Sequence, residues 1–440
     1  MSDSDRKQNR YDFDRHTPQY RHEFESVAAE LQSKCPVAWS ETYGGHFVAA
    51  GHEEVFSIAR AADYVSNEFD PANGRLGILI PGPEQRPLAG FLEMDPPAQR
   101  HYRQALNPYL SPAAVRRWVP VVDELVRASL DEKIESGRID FVDDLANIVP
   151  AVATLGMLGF PLAHWETYVE PTHASVYLRM DSPEWAAVRR KQVEMGQDMY
   201  LQVQQIRQGG RPGLVHALVT ATIDGKTPPD DEIMHVIALL IGGGFDTTTA
   251  LTAHSLEWLG DHPDARSRLS AERDALLDPA TEEFLRFYAP APGDGRTITA
   301  PCSLAGQRFE EKDRVWLSWA MANRDPAVFP NPNEIELDRT GNRHFSFGLG
   351  LHRCIGSNVA RVVFKRMLLG VLDRLPDFVC DPAGTVHYDT VGVINGIKNL
   401  PATFTPGPRL GPGLTETIAS LQRLVDEQRL AAPVAASGKP

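Results

Sequence analysis

Cysteine is scarce in this chain. There are four in 440 residues, Cys35, Cys302, Cys354 and Cys380, and no two form a Cys-x-x-Cys pair. That scatter supports neither a structural zinc site nor a disulfide framework. Positive charge is in deficit as well: Lys and Arg number 44 against 58 Asp and Glu, a net charge of −14, which argues against nucleic acid as the principal partner. Long apolar runs are also missing. No stretch approaches the ~20 consecutive apolar residues of a membrane span, and Met1 to Arg15 is polar and charged, offering neither signal nor anchor. The expectation is a soluble, cytoplasmic protein without membrane or nucleic-acid partners. No Ser-, Gly- or Pro-rich linker interrupts the chain before about residue 405. One large domain is therefore expected over 17–405, between a polar arm at 1–16 and a Pro/Gly-rich link and extension at 406–440.

What the chain has in quantity is helical periodicity. A helix is expected from His22 to Ser33, and another after Met94-Asp95-Pro96-Pro97, since proline is tolerated in a first turn. The helical pattern dominates from there to about residue 290. Pro228-Pro229-Asp230-Asp231-Glu232 opens the longest helix, its acidic residues complementing the N-terminal dipole, and the pattern runs to about His262. Short strands are expected at Gly45–Ala49 and between residues 296 and 318, with loop-like segments at 70–90 and Asp325–Asn333. Beyond Pro406, the residues Leu414, Ile418, Leu421 and Val425 share one helical stripe, which suits either a docked helix or a frayed extension. The fold class is mainly α with small peripheral β-sheets.

Two stretches carry chemistry. In the first, Phe347-Gly348-Leu349-Gly350-Leu351-His352-Arg353-Cys354-Ile355-Gly356, one cysteine lies on a glycine-rich loop. Apolar residues at four-residue steps follow: Val359, Val363, Met367 and Val371. A thiolate at Cys354 would sit at the positive end of a helix, which lowers a thiol's pKa. In the second, Gly242-Gly243-Gly244-Phe245-Asp246-Thr247-Thr248-Thr249 falls inside the longest helix. Three glycines there cost about 3 kcal/mol against alanine. Bare backbone admits a flat ligand, and a threonine hydroxyl can bond back to a carbonyl and bend the helix. The bland reading is a helix crossing eased by small residues.

The cysteine loop matches the ligand loop of the cytochrome P-450 family position for position, and the glycine–threonine stretch resembles that family's oxygen-binding groove. The resemblance spans about residues 20 to 405. It implies a single large haem domain holding haem b (iron protoporphyrin IX), with Cys354 as the metal ligand and an open position for O2. Thiolate ligation favours O–O cleavage over reversible oxygen binding. By the same resemblance Asp246 and Thr247 are the catalytic acid–alcohol pair that relays protons. Arg103, Arg296 and His352 are the partners of the haem propionates, with Gln99 standing where the family has histidine. Glu283, Arg286 and Arg324 match the family's buried Glu-x-x-Arg and meander network, although Glu283 and Arg286 taken alone would suit a surface ion pair. Expected substrate contacts are the 75–90 loop with Gly77, Leu79 and Ile80, then Leu240, Gly243, the turn Pro292–Gly295 and Val391–Ile394, including Val393 and Ile394. Their apolar character implies a hydrophobic small molecule. No flavin or iron–sulfur segment is present, so a monooxygenase of this kind takes electrons from a ferredoxin or flavodoxin and its NAD(P)H-dependent reductase. Arg100, Arg353, Arg361, Lys365 and Arg366 are the expected docking charges. A peroxygenase using hydrogen peroxide and a non-catalytic haem sensor are the rival readings. Members of the first kind tend to lack the acid–alcohol pair, and a sensor needs no proton relay.

Overall fold

The computed structural model describes residues 7–82, 86–178, 182–223, 225–428 and 430. It divides into two compact units, each assembled from separated stretches of chain. The first takes residues 1–99, 274–354 and 388–395; the second takes 100–273, 355–387 and 396–440.

The first unit is organised around a five-stranded sheet. Its spatial order is Val37–Ser40, His46–Ala49, Arg314–Ser318, Gly293–Ile298 and Val65–Ser66. All neighbours pair antiparallel except Arg314–Ser318 with His46–Ala49, which run parallel. The two-residue period of a strand divides its side chains between two cores. Val37, Trp39, Phe47, Ala49, Val315 and Leu317 pack with Phe309 and Trp319 on one face. Ala38, Val48 and Trp316 pack on the other with Val27, Ala28 and Leu31 from the first helix. That helix, Pro18–Lys34, starts four residues before the expected His22. Thr17 caps it by accepting from the Tyr20 N–H, and Pro18 supplies a preset φ at the first position. Polar Tyr-Arg-His in its first turn hides the start from an apolar-periodicity reading.

The second unit is mostly helical. Its centre is Ile148–Leu158, in which every residue is buried. Ser357–Arg374 lies against Val119–Asp131, and the approach is close enough that a Cβ at Gly370 would overlap Val126. The expected long helix is present but broken into Asp230–Gly244 and Asp246–Asp261 at Phe245, where φ is −89° and ψ −78°. Read as one 32-residue helix it is long and apolar enough to cross a membrane, yet most of its apolar window is buried in the protein, as suits a core helix. The tail also folds. Leu414–Gln428 is helical and buries Ile418, Leu421 and Val425 against Val119–Asp131 and neighbouring chain. The Asp131 carboxylate accepts from Arg127, Arg374 and the N–H groups of Leu410 and Gly411. Mainly helical with small sheets is therefore the observed class.

In the first unit, Glu283 and Arg286 are fully buried and bonded twice, at 2.8 and 2.7 Å. Glu283 is also paired with Arg339, whose Nε reaches both carboxylate oxygens at 3.0 Å. Arg324, the expected third member, is buried nearby but bonds the Phe287 carbonyl and Asn333 instead. Burial alone would raise the Glu283 pKa; hydrogen bonds from Arg286, the Glu336 N–H and Arg339 overturn that and hold it below the usual value. A depressed folded-state pKa stabilises above the unfolded glutamate range near ~4.3 and ceases to as pH falls below it. Glu283→Ala is expected to cost about 3–5 kcal/mol, because two buried guanidiniums lose their counter-charge. Urea denaturation at pH 7 measures this, and the gap between wild type and variant should shrink toward pH 3.5. An equal gap at both pH values would show that the carboxylate charge is not the source.

Candidate active site

Candidate residues fall in both units, and each set is described within its own unit. In the first unit, the Glu283 network runs directly into the glycine-rich loop. Arg286 donates to the Asn323 carbonyl at 3.0 Å. Asn323, itself fully buried, fixes the start of the loop through the Phe345 N–H at 2.7 Å and the Ser346 hydroxyl at 2.8 Å. The loop then folds back on itself, with Gly348 N donating to Phe345 O and Cys354 N to Phe347 O, both at 2.7 Å. Gly350 has φ +67°, and a Cβ there would stand 2.8 Å from the Ala59 carbonyl oxygen, so two constraints require glycine. A short 3-10 turn, Gly350–His352, precedes half-buried Cys354, which forms no disulfide among the described residues. The helix Ser357–Arg374 starts three residues after Cys354. Gln99, also buried, donates an amide N–H to Leu351 O at 2.7 Å. One of its two amide hydrogens is thus committed to bracing the ligand loop.

Arg296 tests whether this unit suits haem. It is 2% exposed, and among the described residues its guanidinium makes one hydrogen bond, from Nη1 to Gly295 O at 2.7 Å. No carboxylate lies within ion-pair distance of it among those residues. Burial pushes its pKa down, with Asp294 partly offsetting. A buried cation with most of its five donors uncommitted calls for an anionic acceptor, which a haem propionate supplies. His352 lies on the ligand loop. Val393 is 48% exposed and Ile394 is buried. Ile80 and Val391, expected at the substrate, instead pack in the core beside the first helix, while Arg314 holds the carbonyls of Gly77 and Leu79 at 2.8 and 3.0 Å.

In the second unit, the candidates lie on the broken helix. Thr247 Oγ1 donates to the Gly243 carbonyl at 2.9 Å, a side-chain bond that accompanies the break. The three glycines divide by role. A Cβ at Gly242 or Gly243 would meet nothing within 4 Å, whereas one at Gly244 would stand 2.9 Å from Thr154 Oγ1. Gly244 therefore serves a helix crossing, and the other two face open space, with Leu240 half-buried one turn before. Asp246 is 2% exposed. Its Oδ1 lies 2.8 Å from Nδ1 of His173, and its Oδ2 is buried without a hydrogen-bond partner among the described residues. His173 comes from the helix Trp165–Tyr177, next to the Tyr177 ring at 5.3 Å. Sequence reasoning missed it. A lone histidine 73 residues from its partner carries no spacing signal. Arg103 is half-buried in the helix Ala98–Leu110. Of the expected docking charges in this unit, Arg100 is exposed and Arg361 and Lys365 are partly so, but Arg366 is taken up by an ion pair with Asp123.

Comparison with known proteins agrees with this geometry. The family model "Cytochrome P450" matches residues 183–381. The vitamin D3 dihydroxylase of Streptomyces griseolus is 29% identical over 319 residues, covering 71% of this chain and 77% of the relative. The linalool 8-monooxygenase of Pseudomonas putida is 26% identical over 410 residues, covering 89% and 98%. A Mycobacterium marinum cytochrome P450 solved with pseudoionone superposes with a TM-score of 0.80 at 25% identity, covering 89% of this chain and 98% of that one. The family model, the curated relatives and the solved structures all support a bacterial-type cytochrome P450. It is a haem-thiolate monooxygenase that holds haem b through a cysteine thiolate and uses O2 with electrons from redox partners.

Cys354→Ala is expected to abolish the red-shifted reduced-CO absorption band of thiolate-bound haem, with alanine at Cys35, Cys302 or Cys380 leaving it intact. Arg296→Leu should keep that band but release haem to an excess of apomyoglobin about tenfold faster or more, the equivalent of one charge-assisted hydrogen bond. Unchanged release would mean that Arg296 holds no propionate.

Proposed function

We propose that this monooxygenase hydroxylates or epoxidises a terpenoid- or steroid-class small molecule in the cytoplasm, with Asp246 and Thr247 delivering the protons. The observation that carries the reading is the break at Phe245, where a buried carboxylate with an uncommitted oxygen stands next to a threonine hydroxyl bonded to Gly243 O. Haem, when bound, supplies oxygen binding and O–O cleavage. Everything else is assigned to side chains. Cys354 would hold the haem iron through its thiolate, and Arg296, Arg103 and His352 would neutralise the propionates, with Gln99 steadying the ligand loop beside them. Thr247 offers a hydroxyl that can exchange its hydrogen bond to the Gly243 carbonyl for donation elsewhere. Asp246 accepts and passes protons on its free oxygen. His173 fixes the carboxylate's orientation through the other, a positioning role.

Gly243 and Leu240, and separately Val393 and Ile394, are assigned to substrate contact. The apolar lining favours a hydrocarbon skeleton, and the names of similar proteins, with vitamin D3, linalool and bound pseudoionone, point the same way. A compound panel scored by displacement of iron-bound water in the absorption spectrum tests the class; responses confined to charged or sugar-like compounds would overturn it.

Thr247→Ala should keep NAD(P)H consumption within a few-fold of wild type while diverting most of it to hydrogen peroxide. Asp246→Asn should slow consumption itself by ~10²-fold, the usual scale for one positioned acid–base group. His173→Ala should move in the same direction by less. Full coupling and rate in all three would place the protons on another route.

Electrons are assigned to a ferredoxin docking on Arg100, Arg361 and Lys365, local positive charge on a chain of net −14. Charge reversal at Lys365 should raise the apparent ferredoxin KM several-fold at low salt, and the difference should vanish by about 0.5 M, where screening lengths fall to a few ångström. A salt-independent rate with silent reversals would remove this surface from consideration.

A further inference from the structure

Eight residues beyond Asp246, the same helix carries a cluster that the reaction does not use. Glu257 Oε1 lies 2.8 Å from Nε2 of His387, and its Oε2 lies 3.7 Å from Nδ1 of His254. The two imidazoles are 5.6 Å apart, and donor atoms from all three side chains fall within 4.8 Å of one another. The i, i+3 spacing puts His254 and Glu257 on one helix face. The strand Val386–His387, paired antiparallel with Ile397–Asn399, brings the third donor to them. All three residues belong to the second unit.

The electrostatics leave room for a cation. Among the described residues Glu257 has no lysine or arginine partner. Burial would raise its pKa, but the two imidazoles beside it reverse that and hold it at about 2, so the carboxylate is charged at any working pH. The Cys380 thiol is pushed up to about 12, first by burial and then by Glu257 and Asp261, with Arg266 the one offsetting charge; it stays a neutral neighbour. With neutral imidazoles the trio carries one negative charge and presents two nitrogens and a carboxylate. We propose that His254, Glu257 and His387 form a binding site for a divalent cation of the zinc type, separate from the haem iron.

The donor set selects the ion. Imidazole and carboxylate together suit Zn2+, Cu2+, Co2+ or Ni2+ rather than Mg2+ or Ca2+. With metal–ligand bonds of about 2.0–2.2 Å, tetrahedral donors stand about 3.4 Å apart. The present spread therefore closes by small rotations of the outer two side chains. His254 is 4% exposed and acts as the fixed anchor, whereas the His387 and Glu257 side chains, 35% and 25% exposed, give the ion a path from solvent and leave a fourth position for water. Once bound, the ion pins the strand to the helix, and the hydrogen-bonded trio without an ion is the competing arrangement.

The test uses tag-free, haem-loaded protein stripped with a chelator and titrated with Zn2+ alone. The expected result is one zinc per chain by elemental analysis, beside one iron, with affinity at least tenfold weaker at pH 5.5 than at pH 7.5 because protons compete for both imidazoles. His387→Ala and Glu257→Gln should each weaken binding at least tenfold with the haem spectrum unchanged, and zinc should raise the Tm of wild type but not of His387→Ala. If Glu257→Gln fails to fold, His387→Ala and His387→Asn decide alone, since that side chain is partly exposed. No bound zinc, or binding that both His387 variants retain, overturns the site and leaves the trio as a hydrogen-bonded cluster. Neither outcome touches the monooxygenase assignment, which rests on the iron.

Discussion

The buried pairing of Glu283 with Arg286 is the constraint from which the ligand side of the site follows. A charge pair without solvent persists only if every remaining donor and acceptor finds a partner. Here that requirement recruits the Asn323, Pro332 and Glu334 carbonyls, the Glu336 N–H, Arg339 and Asn342. Four stretches of chain thereby become one rigid body. Asn323 passes that rigidity to Phe345 and Ser346, and the glycines behind them can then afford left-handed conformations that place the thiol. The pair does no chemistry. It defines where the chemistry happens.

The second unit solves the opposite problem. A continuous helix would present side chains and saturated carbonyls where small molecules must pass, so regularity is given up at Phe245. Two open glycines, a threonine hydroxyl and an acid steadied by a histidine appear within six residues. The loss of helical propensity falls on the residues that gain a function, and the flanking turns, rich in buried Ile, Val and Leu, hold the two halves.

What could be read from the sequence follows from how tightly chemistry fixes residue types. The cysteine loop was legible because Phe347, the two glycines, His352 and Cys354 each answer a separate requirement at a fixed spacing. The glycine–threonine stretch was legible because it violates helix propensity. Arg339 was not, because a lone arginine beyond an irregular connector resembles any solvated arginine; only the fold shows that it reaches Glu283 while Arg324 does not. His173 and the His254–Glu257–His387 trio were hidden for the same reason, since each joins residues remote in sequence. Ile80 and Val391 were misplaced because apolar residues serve a core and a pocket equally well.

The interleaving of the two units along the chain has a consequence for how the protein is made. The first unit needs residues from both ends of the stretch 1–395, and the second needs chain as far as its closing helix at 414–428. Neither can be completed before the chain has passed residue 395, so the two units cannot fold strictly one after the other during synthesis. Among the first hundred residues, Val65–Ser66 and one edge of His46–Ala49 must wait for the strands at 293–318 that pair with them.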